Sequence, residues 1–214
     1  MNTENEKKQF FTSLEARVIA SLMEKQLTTP NNYPLTLNSL MLACNQKSNR
    51  EPVMELTEGQ VGHTVNTLKD RGLIDIDYGG RSNHISHRVM GSLNLNKKMQ
   101  AILTVLMVRS PLTLNDIKAR TNRMVEFNDL NDIQQNLDKM ISAEMPLVVR
   151  IEKSAGSRED RYTHVLCGEI ITPTTVTKDN VVLGKRVNIT HQLKLEDRVA
   201  VLEEKVEKLM QLLD

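Results

Sequence analysis

Aromatic residues are scarce in this chain of 214 residues: they make up 3% of it, and tryptophan does not occur. Large β-sandwiches usually have strands rich in aromatic side chains, so this composition favours small helical domains with aliphatic cores. The apolar residues still reach 39%, which is enough for globular cores. At this length, two domains of ordinary size are more typical than one.

Cysteine is also rare, and the net charge is small. The two cysteines, Cys44 and Cys167, leave no second pair for a metal cage. Cys44 lies on the apolar face of a predicted helix, so we interpret it as a small core residue. The formal net charge is +1, which provides no general attraction to nucleic acid, so any such binding depends on local patches.

Long apolar segments are missing as well. The longest apolar-rich run, residues 101–108, is far too short to span a membrane. The polar first ten residues lack the apolar core of a signal peptide. We therefore expect a cytoplasmic protein with no membrane contact.

The sequence also lacks the patterns of common catalytic sites, such as a glycine-rich phosphate loop or a nucleophile elbow. His84 and His87 lie three residues apart on a predicted strand, so they point to opposite faces and cannot share a metal ion. Asp75 and Asp77 share one face of an exposed hairpin, which is typical of a solvated surface. We predict no catalytic residues, no metal site and no cofactor, and hence no enzyme.

What the chain does contain is a helical unit in which each element has its own boundary signals. Capping boxes precede the first and third helices, a capping threonine precedes the second, and two glycines form the hairpin turn. The predicted elements are helices after Thr12, Thr36 and Thr57, followed by antiparallel strands at 73–78 and 84–89. Three helices followed by a β-hairpin form a winged helix-turn-helix.

The same order recurs downstream, where the residues PLTLN of 34–38 appear again at 111–115. A first helix near Met99 is followed by a second after Thr113, a third over 130–141, and strands at 147–151 and 161–166. We therefore predict a mainly α fold with small β-hairpins (α+β class). It consists of two tandem winged helix-turn-helix domains, a linker and a C-terminal coiled-coil-like amphipathic helix. Their predicted bounds are 1–91, 92–167, 168–192 and 193–214.

The C-terminal segment carries a heptad pattern, with valine at the a positions and leucine at d. This pattern favours a parallel two-stranded coiled coil, and so a homodimer. Fewer than three heptads make a free-standing coil marginal, so packing of the helix on its own chain stays open. The predicted dimerisation residues are Leu195, Val199, Leu202, Val206, Leu209 and Leu213.

In the first predicted domain, polar side chains on the third helix can hydrogen-bond to base edges and phosphates. Cations in the preceding loop and in the wing can contact the phosphates of double-stranded DNA. Neighbouring carboxylates offset these cations, so a merely solubilising surface is the alternative. The predicted DNA-binding residues are Lys47, Arg50, Gln60, His63, Thr64, Thr67, Arg71, Arg81 and Arg88.

The second predicted domain differs at the equivalent helix, where three carboxylates would repel phosphate. Its wing is basic at the tip but flanked by Glu159 and Asp160. We interpret this domain as a structural module or one that contacts a protein partner. The helix residues concerned are Asp129, Asp132, Gln135, Asn136 and Asp138, with Lys139 as the basic residue.

Two runs in the first domain carry a family resemblance: LEARVIASLMEK, and after it TTPNNYPLTLNSLMLACNQKSNREPVMEL. The chain resembles the YceH-like family of bacterial proteins of unassigned function, over both predicted domains to about Leu166. The resemblance implies a tandem winged-helix fold in a cytoplasmic protein, and it implies no activity. We expect a non-enzymatic, DNA-binding, transcriptional-regulator-like protein. A protein-interaction adaptor or dimeric accessory subunit built from tandem winged helices is the alternative.

Overall fold

A computed structural model describes residues 10–80, 82–153 and 159–168. The described chain is a mixed α+β structure of seven α-helices, one short 3-10 helix and two small antiparallel hairpins. Arg81, the wing tip at 154–158, the predicted linker and the predicted dimerisation residues lie outside the described residues.

The elements follow the same order in two successive repeats. The first repeat consists of α1 (Ser13–Thr28), α2 (Leu37–Cys44), α3 (Glu58–Asp70), β1 (Ile74–Asp77) and β2 (His84–His87). The second repeat consists of α5 (Lys97–Val108), α6 (Leu114–Thr121), α7 (Leu130–Ile141), β3 (Val148–Ile151) and β4 (Arg161–His164). The short helix α4 (Val89–Ser92) lies between the repeats, and the 3-10 helix (Pro30–Asn32) follows α1.

The helix starts follow directly from local hydrogen bonding. In each predicted capping box, the N-cap hydroxyl accepts a hydrogen bond from the backbone N–H of the residue three positions later. The side chain of that later residue accepts a hydrogen bond from the backbone N–H of the N-cap. Both exchanges satisfy backbone donors that a helix start leaves unpaired. The boxes form at Thr12 and Glu15, at Thr57 and Gln60, and at Thr113 and Asp116, as predicted.

Each hairpin also receives a short bridge from the segment before the second helix of its repeat. Leu35 pairs with Ile85 through hydrogen bonds of 3.0 and 2.7 Å. Leu112 pairs with Tyr162 in the same way, at 3.0 and 2.8 Å. These bridges, which local sequence patterns do not indicate, connect the segments before α2 and α6 to the hairpins.

The two repeats meet where α1 packs against α5, the corresponding first helices. Residues 15–24 of α1 and 99–108 of α5 are buried on all sides. A helix buried all round lies between two layers rather than at a surface. One apolar cluster therefore runs through both repeats, whose described residues belong to one compact unit. The predicted domain bounds stay predictions.

In the first repeat, Leu40, Leu68 and Cys44 are each 0% exposed, which confirms the interpretation of Cys44 as a core residue. Within the described ranges, none of the helices has the length and apolar character that crossing a bilayer requires.

Candidate nucleic-acid interface

Helix α3 is held by a buried stripe of Val61, Thr64, Val65 and Leu68. These positions recur at helical spacing, so the opposite face of α3 is turned to the surface. The predicted exposure of Thr64 is therefore corrected. Its side chain lies in the stripe at 3% exposure, and its hydroxyl donates to the Gln60 carbonyl at 2.8 Å.

The outer face of α3 carries Gln60, His63, Asn66 and Thr67, with the exposed Asp70 in its last turn. Gln60 accepts the Thr57 N–H at 2.9 Å, and the Thr67 hydroxyl donates to the His63 carbonyl at 3.1 Å. Within the described residues, the structure records no hydrogen bond from the side chains of His63 and Asn66. Asn66 was missing from the predicted set, although it lies three residues after His63 and shares its face.

The end of α3 is joined to the hairpin by a contact that sequence analysis missed. The Lys69 ammonium donates to the Tyr78 hydroxyl at 3.0 Å and lies 5.2 Å from the centre of its ring. This hydrogen bond raises the pKa of Lys69. The Tyr78 side chain is 58% exposed directly after β1, so both groups lie at the surface beside the outer face of α3.

Two of the predicted arginines are engaged in ion pairs. Arg71, after the end of α3, pairs with Glu15 at 2.8 Å and donates to the Phe10 carbonyl at 2.5 Å. It therefore ties α3 to the start of α1. Arg88 is exposed and pairs with Asp75 of β1. Such exposed pairs stabilise a protein little, so Arg88 can exchange its partner for a phosphate at small cost.

Arg50 is not at the surface, and the interpretation of it as an exposed cation is corrected. Its side chain is fully buried, donates to the Ala43 carbonyl at 3.0 Å and pairs with Glu24 of α1. Arg17 lies beside it, donating to the carbonyls of Cys44 and Pro52 at 3.2 and 2.7 Å. Burial, and after it the charge of Arg50, lowers the pKa of Arg17. By contrast, Lys47 in the same loop is exposed.

The equivalent helix of the second repeat has the same buried pattern but a different outer face. With the N-caps Thr57 and Asp129 aligned, the buried residues match one for one: Ile133, Asn136, Leu137 and Met140 take the places of the α3 stripe. The predicted exposure of Asn136 is therefore corrected, since it is 6% exposed. Gln135 and Asp138 occupy the positions of His63 and Asn66, so this face carries a carboxylate.

The carboxylate of Asp132 is less free to contact a binding partner than its place on α7 suggested. Its carboxylate pairs with Lys98 of α5 at 2.5 Å and accepts the Asn128 N–H at 3.2 Å. The hydrogen bond from Lys98 is the main cause of the lowered pKa of Asp132. Among the described residues, the structure contains no cluster of three histidine, cysteine or carboxylate side chains arranged to hold a metal ion.

Comparison with known proteins places this arrangement in a family. A family model described as "Protein of unknown function, DUF480" matches residues 11–157. The chain belongs to this family. The DUF480 match runs from the start of α1 past the end of β3, so it includes the first repeat and all of the second except β4. It confirms the resemblance to a bacterial family of unassigned function.

Individual DUF480 relatives extend the likeness over most of the chain. A UPF0502 protein of Cellvibrio japonicus is 41% identical over 202 residues, which cover 92% of this chain and 90% of the relative. A UPF0502 protein of Pseudomonas fluorescens is 42% identical over 200 residues, or 91% of both chains. One from Pseudomonas putida is 46% identical over 156 residues, or 73% and 72%.

Proposed function

We propose that each repeat is a winged helix-turn-helix and that the protein is a non-enzymatic, DNA-binding regulator that uses the first repeat. The order of three helices and a hairpin supports this fold, as does the bridge from Leu35 to Ile85. In such folds the third helix enters the major groove and the helix before it crosses the DNA backbone. Helix α3 is the recognition helix in this proposal.

The outer face of α3 is the observation that carries the proposal. It presents the uncharged side chains of Gln60, His63, Asn66 and Thr67, and the exposed carboxylate of Asp70 lies on the same face in the last turn. Glutamine and asparagine form bidentate hydrogen bonds with adenine, and threonine contacts several base edges. A helix face that only needs to be solvated usually carries long charged side chains. The uncharged part of this face, from Gln60 to Thr67, therefore matches base readout better than simple solvation.

The cations around this face suit contacts to the DNA backbone. Lys47, Lys69 and Arg88 are exposed near the helix and hairpin. The sequence also predicted Arg81, Lys47 and Arg88 as DNA-binding residues, whereas Lys69 is added from the structure. Four phosphate contacts give a slope of log affinity against log salt concentration of about −3 to −4. Because the net charge of the chain is only +1, these local cations supply the salt dependence.

The experiment is a titration of duplex DNA, first selected from a random pool, at about 50 mM and about 200 mM salt. The double variant Lys47→Ala, Lys69→Ala should flatten the salt slope by about two. The matched control is Lys97→Ala, Lys118→Ala, which removes two exposed lysines of the second repeat. Selection that yields no duplex, together with no binding at low salt, contradicts the proposal.

A second pair of variants tests base readout. The double variant His63→Ala, Asn66→Ala should raise the Kd for the selected duplex at least about tenfold, since each lost base contact weakens binding. The control Asn131→Ala, Gln135→Ala removes exposed, uncharged side chains from α7 and should leave the Kd unchanged. Equal effects of both doubles would exclude α3 as the specific reader.

A protein-interaction adaptor is the second candidate, because of the different outer face of α7. There the carboxylate of Asp138 replaces Asn66, and Met145 beyond the helix is 46% exposed. This combination suits a protein partner better than a phosphate backbone. We propose that the second repeat contacts protein even where the first contacts DNA. A homodimer through the heptad residues and a cytoplasmic location are further, sequence-based parts of the proposal.

A further inference from the structure

A cavity of about 360 Å³ lies where the C-terminal parts of α1, α5 and α6 converge. Glu24 and Thr28 of α1 line it, and Asn49 contributes from the loop after α2. The other side is formed by α5, α6 and the turn that follows α6. Three arginines line the cavity, Arg109, Arg120 and Arg123, and none of them belongs to the proposed DNA interface.

The carboxylates in the lining are already engaged. Glu24 pairs with the buried Arg50. Asp116 accepts the N–H and the hydroxyl of Thr113, at 3.1 and 2.9 Å, as part of the α6 capping box. The Thr113 N–H is also the main cause of the lowered pKa of Asp116. Glu24 is thus held in another interaction, whereas the Asp116 carboxylate also interacts with the charge of Arg120 and offsets part of the positive charge of the lining.

The arginines are less fully used. Arg109 pairs with Glu51 at 2.8 Å. Within the described chain, the structure records no ion pair or hydrogen bond for Arg120 or Arg123. The Nε of Arg120 is shielded from solvent and has no hydrogen-bond acceptor. That atom does not face the open cavity, so an entering oxyanion would meet the other N–H donors of Arg120 and those of Arg123, two residues that line the cavity.

We propose that this cavity binds a small molecule through a phosphate or carboxylate group, held by Arg120 and Arg123. The planar guanidinium fork matches both oxyanions with two parallel hydrogen bonds. The amides of Asn49 and Asn122 in the lining supply further donors. Because the lining comes from both repeats, the bound molecule would bridge them. The proposal is independent of DNA binding.

The test uses the full-length protein, with inorganic phosphate and malonate as separate probes at constant ionic strength set by chloride. Binding is followed through the thermal midpoint and through amide NMR shifts. One or both probes should bind saturably, with shifts at residues 119–124 and at Asn49, and should raise the midpoint. The arm that binds more tightly identifies the oxyanion. Failure of both probes to bind saturably overturns the proposal.

Two variants and one control make the assignment specific. Arg123→Gln alters an exposed side chain and should weaken probe binding without loss of fold. The double variant Arg120→Gln, Arg123→Gln should raise the Kd at least about tenfold by removing charge-assisted hydrogen bonds. Lys118→Gln removes one exposed charge from the same helix, outside the cavity lining, and should bind as the wild type does. Wild-type affinity in Arg123→Gln, or an equal loss in Lys118→Gln, overturns the assignment.

Discussion

The guanidinium of Arg50 and the carboxylate of Glu24 form an ion pair beneath the loop after α2, with the arginine side chain out of solvent. Removal of one partner of a buried pair leaves the other charge without compensation. Arg50→Ala should therefore lower the free energy of unfolding by about 3–5 kcal/mol in urea denaturation. Lys47→Ala, an exposed change in the same loop, should alter it by less than about 0.5 kcal/mol. An Arg50→Ala variant that is as stable as the wild type but binds DNA more weakly would show that Arg50 contacts DNA.

Two histidines at equivalent hairpin positions should make stability depend on pH. Burial lowers the pKa of His87 and of His164 to about 4. Between pH 4 and the unfolded pKa of about 6.5, the unfolded state binds more protons than the folded state. Stability is therefore full above about pH 6.5 and falls as the pH drops toward 4, by at most about 3 kcal/mol for His87.

The His87 contribution can be measured by urea unfolding at about pH 7 and about pH 5. His87→Gln should lose less stability between these two values than the wild type does. The polar partner of His87 is Gln26, whose oxygen lies 2.9 Å from its Nε2 and also accepts from Gln100 at 2.7 Å. An unchanged pH dependence in the variant would show that His87 does not titrate in this way.

The core of the first repeat provides a direct test of the faces of α3. Leu68 is 0% exposed, so Leu68→Ala should cost about 2–5 kcal/mol of unfolding free energy. Leu42 on α2 is 59% exposed, and Leu42→Ala should cost less than about 0.5 kcal/mol. Chemical denaturation of both variants gives the comparison. Similar losses at the two positions would mean that the orientation of α3 is wrong.

The shared core predicts that the two repeats unfold together. Since α1 and α5 are buried against each other, unfolding of one repeat exposes apolar surface of the other. Calorimetry should show one transition for the residues of both repeats, with equal calorimetric and van't Hoff enthalpies. Two separate transitions would instead support two independent domains.

The heptad residues allow a prediction from sequence alone. Leu202→Lys with Leu209→Lys should convert a dimer into a monomer if the seam pairs two chains, because the charges interrupt the apolar d positions. If the helix packs on its own chain, the same change should lower thermal stability without altering the mass. Light scattering measures the mass, and a wild-type monomer in the micromolar range would end the coiled-coil interpretation.

The helix starts and the hairpins could be predicted because their causes are local. A capping box needs residues three apart, and a hairpin strand alternates with every residue. The predicted third helix of the first repeat begins within one residue of the observed Glu58, and the last helix of the second repeat matches Leu130–Ile141. Predicted strands ran one or two residues too long, as at 84–89, where α4 takes over at Val89.

The burial of charged residues could not be predicted, because it depends on partners far away in sequence. Arg50 and Lys47 are both cations in one loop, but Arg50 is buried by its pairing with Glu24, 26 residues earlier, and by its hydrogen bond to the Ala43 carbonyl. Thr64 was misplaced because its hydroxyl suggested a surface position, although its spacing of three from Val61 puts it on the buried face of α3. The contact between Lys69 and Tyr78 depends on how the hairpin folds back toward α3. Gln60, His63 and Thr67, by contrast, follow from the helical period alone.

Because α1 and α5 belong to one chain, the contact between the two repeats is intramolecular. Two separate subunits held by the same surface would dissociate on dilution, whereas tethered halves face each other at a high, fixed effective concentration. Helix α3 therefore presents the same outer face in a nanomolar assay as in a concentrated sample. The second repeat therefore stays packed against the first at every protein concentration.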